Sequence, residues 1–301
     1  MTSTLHIGMI GLDTSHAVAF TKLLNDPEAP YHVPGGRVVA AFPGGSPDFE
    51  LSWSRLDRFT TAVRDEHGVE ILDSIEAVAE RSDAILLTSV DGRVHLEQFR
   101  RIAPYGKPVF IDKPFAVTSA DARSIADVAR AHGVPLMSSS SLRYAEDLVQ
   151  ARADDSLGDV IGADVYGYVE LQPTQPGLFW YGIHNAEMLF SVLGRGCVRV
   201  YASSSEQHEQ VTGQWSDGRI GTIRGYRNGV RTNGALLHRT NGTVFADCSR
   251  SAKPKYAGLL ERVMTMFRTG TPQIDIEETL EIVRFLEAAN ESRATGQPVE
   301  L

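Results

Sequence analysis

The stretch GMIGLDTSH, residues 8–16, ends an apolar run and leads into a helical pattern. A dinucleotide-binding fold places its phosphate turn there, using glycines for the tight bend, the close approach of backbone to pyrophosphate and the packing of helix on strand. Gly11 can supply the bend, but Asp13 and His16 stand at the second and third glycine positions. A carboxylate repels pyrophosphate unless a cation or distance intervenes, and a protonated His16 would offset it. The amides of the helix start stay usable, with the Thr14 and Ser15 hydroxyls beside them. Asp13, Thr14 and Ser15 are equally good helix caps, so this segment alone leaves both readings open. After the next strand, AAFPGGSPD lacks the immediate acid that would hold an adenosine ribose. Gly44, Gly45 and Ser46 leave room there, and Arg55 or Arg58 lies within reach of a 2′-phosphate, whereas Asp48 opposes one. Either NAD or NADP remains compatible. Asp91, Arg93 and His95, with Ser89 before them, follow a later strand, and Lys113 closes another. His184 with Glu187 is half of a metal site with no further ligand cluster, so no metal is expected.

The elements that must position these residues fall into two patterns. Up to residue 137, short apolar runs (LHIGMIG, RVVAAF, VEIL, DAILLTS, PVFID, VPLMS) alternate with helical spacing in SHAVAFTKLLND, RLDRFTTAVRDEHG, SIEAVAERS, VHLEQFRRIAPYG and SADARSIADVARAHG. Such alternation predicts a parallel α/β sheet of Rossmann type, whose ligands lie at the carboxyl ends of the strands. The expected domains are therefore residues 1–137, binding a dinucleotide, and 138–301, an α+β substrate and oligomerisation domain with a cleft where they meet. In the latter, long alternating runs such as DVIGADVYGYVELQ and RIGTIRGYRN predict an open, largely antiparallel sheet. Asn228-Gly229 and Asn241-Gly242 both signal hairpins. Three helices accompany the strands, GIHNAEMLFSVLG, YAGLLERVMTMFRTG and IEETLEIVRFLEAANESRATG.

The formal net charge of −9 argues against nucleic acid or an acidic membrane as partner, because phosphate contacts need clustered cations. No apolar run is long enough to span a bilayer, and no export leader is evident. Cys197 and Cys248 make neither a disulfide framework nor a metal spacing. A cytoplasmic enzyme with a small-molecule substrate is the expectation.

Two segments sharpen that expectation. GKPVFIDKPFA, residues 106–116, ends a strand in Asp112-Lys113-Pro114, and WYGIHNAEML, residues 180–189, places His184 at a helix start. With His95, Arg143-Tyr144 and the order of the two domains, the chain resembles the glucose–fructose oxidoreductase and inositol dehydrogenase (Gfo/Idh/MocA) family over essentially its whole length. Members carry Glu-Lys-Pro at this strand end. The resemblance implies an NAD(P)-dependent oxidoreductase moving a hydride between the cofactor and a sugar, cyclitol or related polyol. It implies that Gly11, Asp13, Thr14, Ser15, His16, Ser46, Ser89, His95 and Asp112 face the cofactor. Lys113 would hold the substrate oxygen and stabilise negative charge on it. His184 would accept the hydroxyl proton, as an imidazole does near neutrality.

The chain departs from the family at the position four before the histidine, where many members have Asp and this one has Trp180. Tyr181 beside it becomes a candidate hydroxyl for catalysis. Arg143, Trp180 and Glu187 become candidates for substrate contact, Glu187 also for orienting the imidazole. Trp180 motivates a rival reaction on the same scaffold, a lyase, isomerase or glycoside-cleaving enzyme without net redox. Asp13 motivates another, a non-catalytic sugar- or nucleotide-binding protein. The polar-faced sheet of the second domain should pack on another copy, as a dimer or tetramer.

Overall fold

The computed structural model describes residues 3–301, which divide into two compact units. The first takes in residues up to 116, then 120–139 and 256–276. Its elements run β1 (Leu5–Ile10), α1 (Ser15–Asn25), β2 (Gly36–Phe42), α2 (Glu50–His67), β3 (Glu70–Ile71), α3 (Ile75–Glu80), β4 (Ala84–Leu87), α4 (His95–Ile102), β5 (Val109–Asp112), α5 (Ser119–His132) and β6 (Leu136–Ser139). The six strands are parallel, in the order β3-β2-β1-β4-β5-β6. Every residue of β4, β5 and β6 is buried, as expected of parallel strands covered on both faces. The order reverses between β1 and β4, which makes their carboxyl ends the topological switch point.

The second unit comprises 117–119, 140–255 and 277–301. It contains α6 (Glu146–Ala153), β7 (Val160–Tyr168), α7 (Gly182–Leu193), β8 (Cys197–Ser204), β9 (His208–Trp215), β10 (Ile220–Tyr226), β11 (Asn233–Arg239) and β12 (Gly242–Asp247). Then α8 (Lys255–Thr269) returns to the first unit, and α9 (Ile276–Thr295) and β13 (Val299–Glu300) finish the second. The seven-stranded sheet, β12-β11-β7-β10-β9-β8-β13, is antiparallel except where β10 runs parallel to β7. Its inner face buries Ala163, Val165, Ile223, Ala235 and Leu237, while Tyr201, Ile220, Leu236 and Phe245 stay exposed.

Three local expectations change. Asn241-Gly242 does turn β11 into β12, but Asn228-Gly229 makes no hairpin, because β7 lies between β10 and β11 and pairs with both. A turn dipeptide encodes a local bend and says nothing about which strand arrives first at the edge. Helix α2 begins at Glu50 rather than Arg55, because its first turn buries Ser52 beneath the phosphate turn. Helix α8 packs on β2, where a Cβ at Gly36 would lie 2.7 Å from Met264 Cε, so an element late in the chain completes the first core.

Asp13 explains that buried first turn. It is wholly buried, accepts from Ser52 Oγ at 2.6 Å and from the Val90 amide at 3.0 Å, and so ties β1 to α2 and to the loop after β4. Burial raises its pKa above the ordinary carboxylate value, and these two bonds oppose that rise. Asp13→Ala strands both donors and is expected to cost about 1–3 kcal/mol. Asp13→Asn, which keeps the acceptor for Val90, should cost less than half as much. Urea denaturation of the two variants measures the difference.

Candidate functional site

In the first unit, the turn after β1 bends at Gly11, whose φ of 91° suits glycine and whose Cβ would lie 2.2 Å from the Ser89 amide nitrogen. Thr14 caps α1, its side chain accepting from the His16 amide. The amides of Thr14 and Ser15 donate to no protein acceptor among the described residues, and Ser15 is exposed. These are open donors at the positive end of an eleven-residue helix, the arrangement that receives a phosphate. Asp13 does not spoil it, because its carboxylate is turned to Ser52 and Val90.

Ser46 donates its amide to Ser52 Oγ at 2.8 Å, and its own hydroxyl is buried without a hydrogen-bond partner. Ser89 Oγ donates to Gln98 at 2.9 Å. Both ring nitrogens of the fully buried His95 face backbone carbonyls, Ser89 at 2.9 Å and Phe115 at 3.2 Å, so this ring ties the loop after β4 to the segment after β5. Arg93 joins Asp91, at 2.7 Å, to Asp48 beyond β2, at 2.9 Å.

At the end of β5, Asp112 and Lys113 are buried. Asp112 Oδ1 accepts the Lys113 amide at 2.8 Å, and Oδ2 accepts from His16 Nδ1 at 2.5 Å. The His16 ring is held edge-on by Tyr256 of α8, centroids 4.9 Å apart, and against Phe20 at 5.4 Å. Burial acts to raise the Asp112 pKa, but the charge and hydrogen bond of His16, with Lys113 beside it, hold it below the ordinary value. Burial lowers the Lys113 pKa, which Asp112 partly restores and Arg55 depresses further.

In the second unit, His184 lies in the first turn of α7, its Nδ1 2.6 Å from Ser140 Oγ. The ring stands edge-on to Tyr181 at 5.6 Å, Tyr181 meets Tyr168 at 5.9 Å, and the Arg231 guanidinium lies 4.3 Å over Tyr168. Trp180 is buried beside Tyr181. Glu187, expected to orient the imidazole, instead accepts from Arg143 Nε at 2.9 Å, and Arg143 also pairs with Glu278 at 2.6 Å. Arg143 has only 5% exposure, and the two carboxylates outweigh burial to hold its charge. Burial raises the Glu187 pKa, with Arg143 opposing it.

Sequence reasoning missed Ser52, Ser140, Tyr256 and Glu278. Ser140 is one of four consecutive serines and no spacing separates it from the others. Tyr256 and Glu278 reach their partners only through the tertiary path of α8 and α9. Both cysteines are buried, and their thiols are pushed up to about 12, which removes them as nucleophiles. No group of three or more metal-ligating side chains occurs among the described residues, and none of their helices is long and apolar enough to cross a membrane.

A parallel sheet in this order, with open amides at its switch point and a buried lysine just after β5, is a scaffold of the dinucleotide-binding kind. Residues 6–140 match the family model described as oxidoreductase family, NAD-binding Rossmann fold. The chain is 28% identical over 228 residues to 1,5-anhydro-D-fructose reductase of Ensifer adhaerens, covering 70% of this chain and 67% of that protein. Its fold is shared by apo scyllo-inositol dehydrogenase from Lactobacillus casei, with TM-score 0.81, 15% identity and coverage of 100% and 99% of the two chains. It is also shared by an oxidoreductase from Agrobacterium radiobacter in complex with NAD+, L-tartaric acid and magnesium, with TM-score 0.79, 16% identity and coverage of 99% and 98%. Residues 6–140 are thus similar to the NAD-binding Rossmann domain of the Gfo/Idh/MocA oxidoreductase family.

The buried ion cluster yields a pH-dependent expectation. Arg143→Met leaves two carboxylates without their cation and should destabilise the protein by roughly 3–5 kcal/mol. Glu187 already has a raised pKa in the folded state, and losing Arg143 raises it further. An acid of raised folded pKa binds its proton more tightly folded than unfolded, so stability falls as pH rises. The loss should therefore be larger at alkaline than at mildly acidic pH, as urea midpoints across that range will register.

Proposed function

We propose that this enzyme is an NAD(P)-dependent oxidoreductase acting on a sugar, cyclitol or related polyol. The observation that carries this reading is the pair of open Thr14 and Ser15 amides at the helix start, within the segment that matches the NAD-binding family. The relatives named an anhydrofructose reductase and a scyllo-inositol dehydrogenase support the substrate class. Gly11, Thr14 and Ser15 take the pyrophosphate, Ser46 and Ser89 complete the cofactor side, and His95, His16 and Asp112 hold that side from behind through buried hydrogen bonds. Asp13 serves that side indirectly by holding the turn. When bound, a nicotinamide supplies the acceptor or donor of the hydride.

The chain's own groups supply the rest. Lys113 places positive charge against the substrate oxygen and stabilises its developing negative charge. Nδ1 of His184 is engaged by Ser140 Oγ, so Nε2, in the tautomer that carries its proton on Nδ1, is the nitrogen that takes the hydroxyl proton. Tyr181 and Trp180 give the sugar ring an aromatic wall, Tyr181 with a hydroxyl to offer, while Arg143 and Glu187 stiffen the first turns of α7. A second copy covers the exposed sheet face, where Phe245, at 56% exposure, stacks on Tyr166.

Isothermal calorimetry should detect NAD(H) or NADP(H) binding in the micromolar range, and silence with all four forms would defeat the reading. His184→Ala should lower kcat by about 10²–10⁴-fold while leaving cofactor affinity intact. Native turnover in that variant would remove His184 from the mechanism. Light scattering should find Phe245→Glu at a smaller assembled mass than the native protein.

A further inference from the structure

His16 stands where a dinucleotide turn usually has its third glycine, yet its ring spends its Nδ1 on the end of a different strand. Both oxygens of Asp112 are thereby occupied, Oδ2 by His16 and Oδ1 by the Lys113 amide. The carboxylate cannot rotate without breaking one bond, and it is 3% exposed, so water cannot replace the loss. The ring itself is pinned by Phe20 and Tyr256. The charged and titratable groups around the pair are Lys113 at the end of β5, Arg55 of α2 and the Tyr256 phenol at the start of α8. Asp13 faces Ser52 and Val90 instead.

We propose that His16 is a positioning residue that locks the Asp112 carboxylate beside Lys113, joining the phosphate turn and the lysine into one hydrogen-bonded, charge-coupled array. This rests on the proposed function only for the claim that Lys113 meets substrate; the array itself lies wholly within the first unit. An Asp-bound imidazole is fixed in one tautomer, with the proton on Nδ1. Asp112 shares its charge between imidazole and ammonium. Removing the imidazole takes one hydrogen-bond donor from a carboxylate that is ionised at neutral pH, so more of its charge acts on Lys113. The ammonium is then favoured more strongly, so Lys113 keeps its proton to higher pH.

The test needs neither cofactor nor substrate. In protein labelled with 13C-lysine, the Lys113 signal is assigned by its loss in Lys113→Arg and followed by NMR against pH. His16→Leu should raise the Lys113 midpoint by about one pH unit. His16→Asn, which sets an amide N–H where Nδ1 stood, should recover most of that shift. An unmoved midpoint in His16→Leu, or equal shifts in both variants, would overturn the proposal. Should His16→Leu not fold, two-bond 1H–15N correlation on the native protein decides the matter. A proton on Nδ1 supports the lock, and a proton on Nε2 alone refutes it. Absence of turnover on every polyol would count against the proposed function and leave this coupling untouched.

Discussion

Placing a carboxylate in a phosphate turn without repelling the phosphate is the constraint around which the first unit is arranged. Asp13 meets it by pointing inward, and inward it must find donors, since an unpaired buried carboxylate would cost several kcal/mol. Ser52 and the Val90 amide provide them. Helix α2 therefore starts early, and the loop after β4 is drawn against the turn. What remains facing outward is bare amide at the start of α1, the chemistry a glycine-rich turn achieves by having no side chains at all. An aspartate at the second glycine position thus leaves the helix-start amides clear, because its carboxylate lies toward Ser52 and Val90.

Polar groups deep in each unit obey the same rule. Asp112 is stabilised by His16 and the Lys113 amide, and Glu187 by Arg143. Arg143 and Glu187 were expected at the substrate. Both are buried and paired with each other between the segment after β6 and α7, the same two segments that bring Ser140 to hydrogen-bond distance of His184. The imidazole thus has a neutral hydroxyl partner in place of the carboxylate that Glu187 would have supplied. A hydroxyl fixes the ring's orientation while adding no charge to it.

Periodicity carried most of the architecture. Alternating strand and helix patterns up to residue 137, and long two-residue alternation after it, made the parallel sheet and the largely antiparallel sheet legible, because burying one face of each element dictates its spacing. The places of Lys113 after a strand and of His184 in the first turn of a helix were legible too, since strand ends and helix starts can be read locally. Asn241-Gly242 worked as a turn signal because the strands it joins are neighbours. Asn228-Gly229 failed because the strands on either side of it, β10 and β11, are separated in the sheet by β7.

What the amino-acid order determined by itself was the element pattern, the turn at Gly11 and the chemical types available at the strand ends. Only tertiary structure decided which way Asp13 points, that His16 binds Asp112 ninety-six positions away, and that Ser140 serves His184. The physical reason is that apolar periodicity is a property of each segment. A buried polar partner, by contrast, is chosen by whichever donor the fold carries within about 3 Å, and sequence distance leaves no trace of that choice.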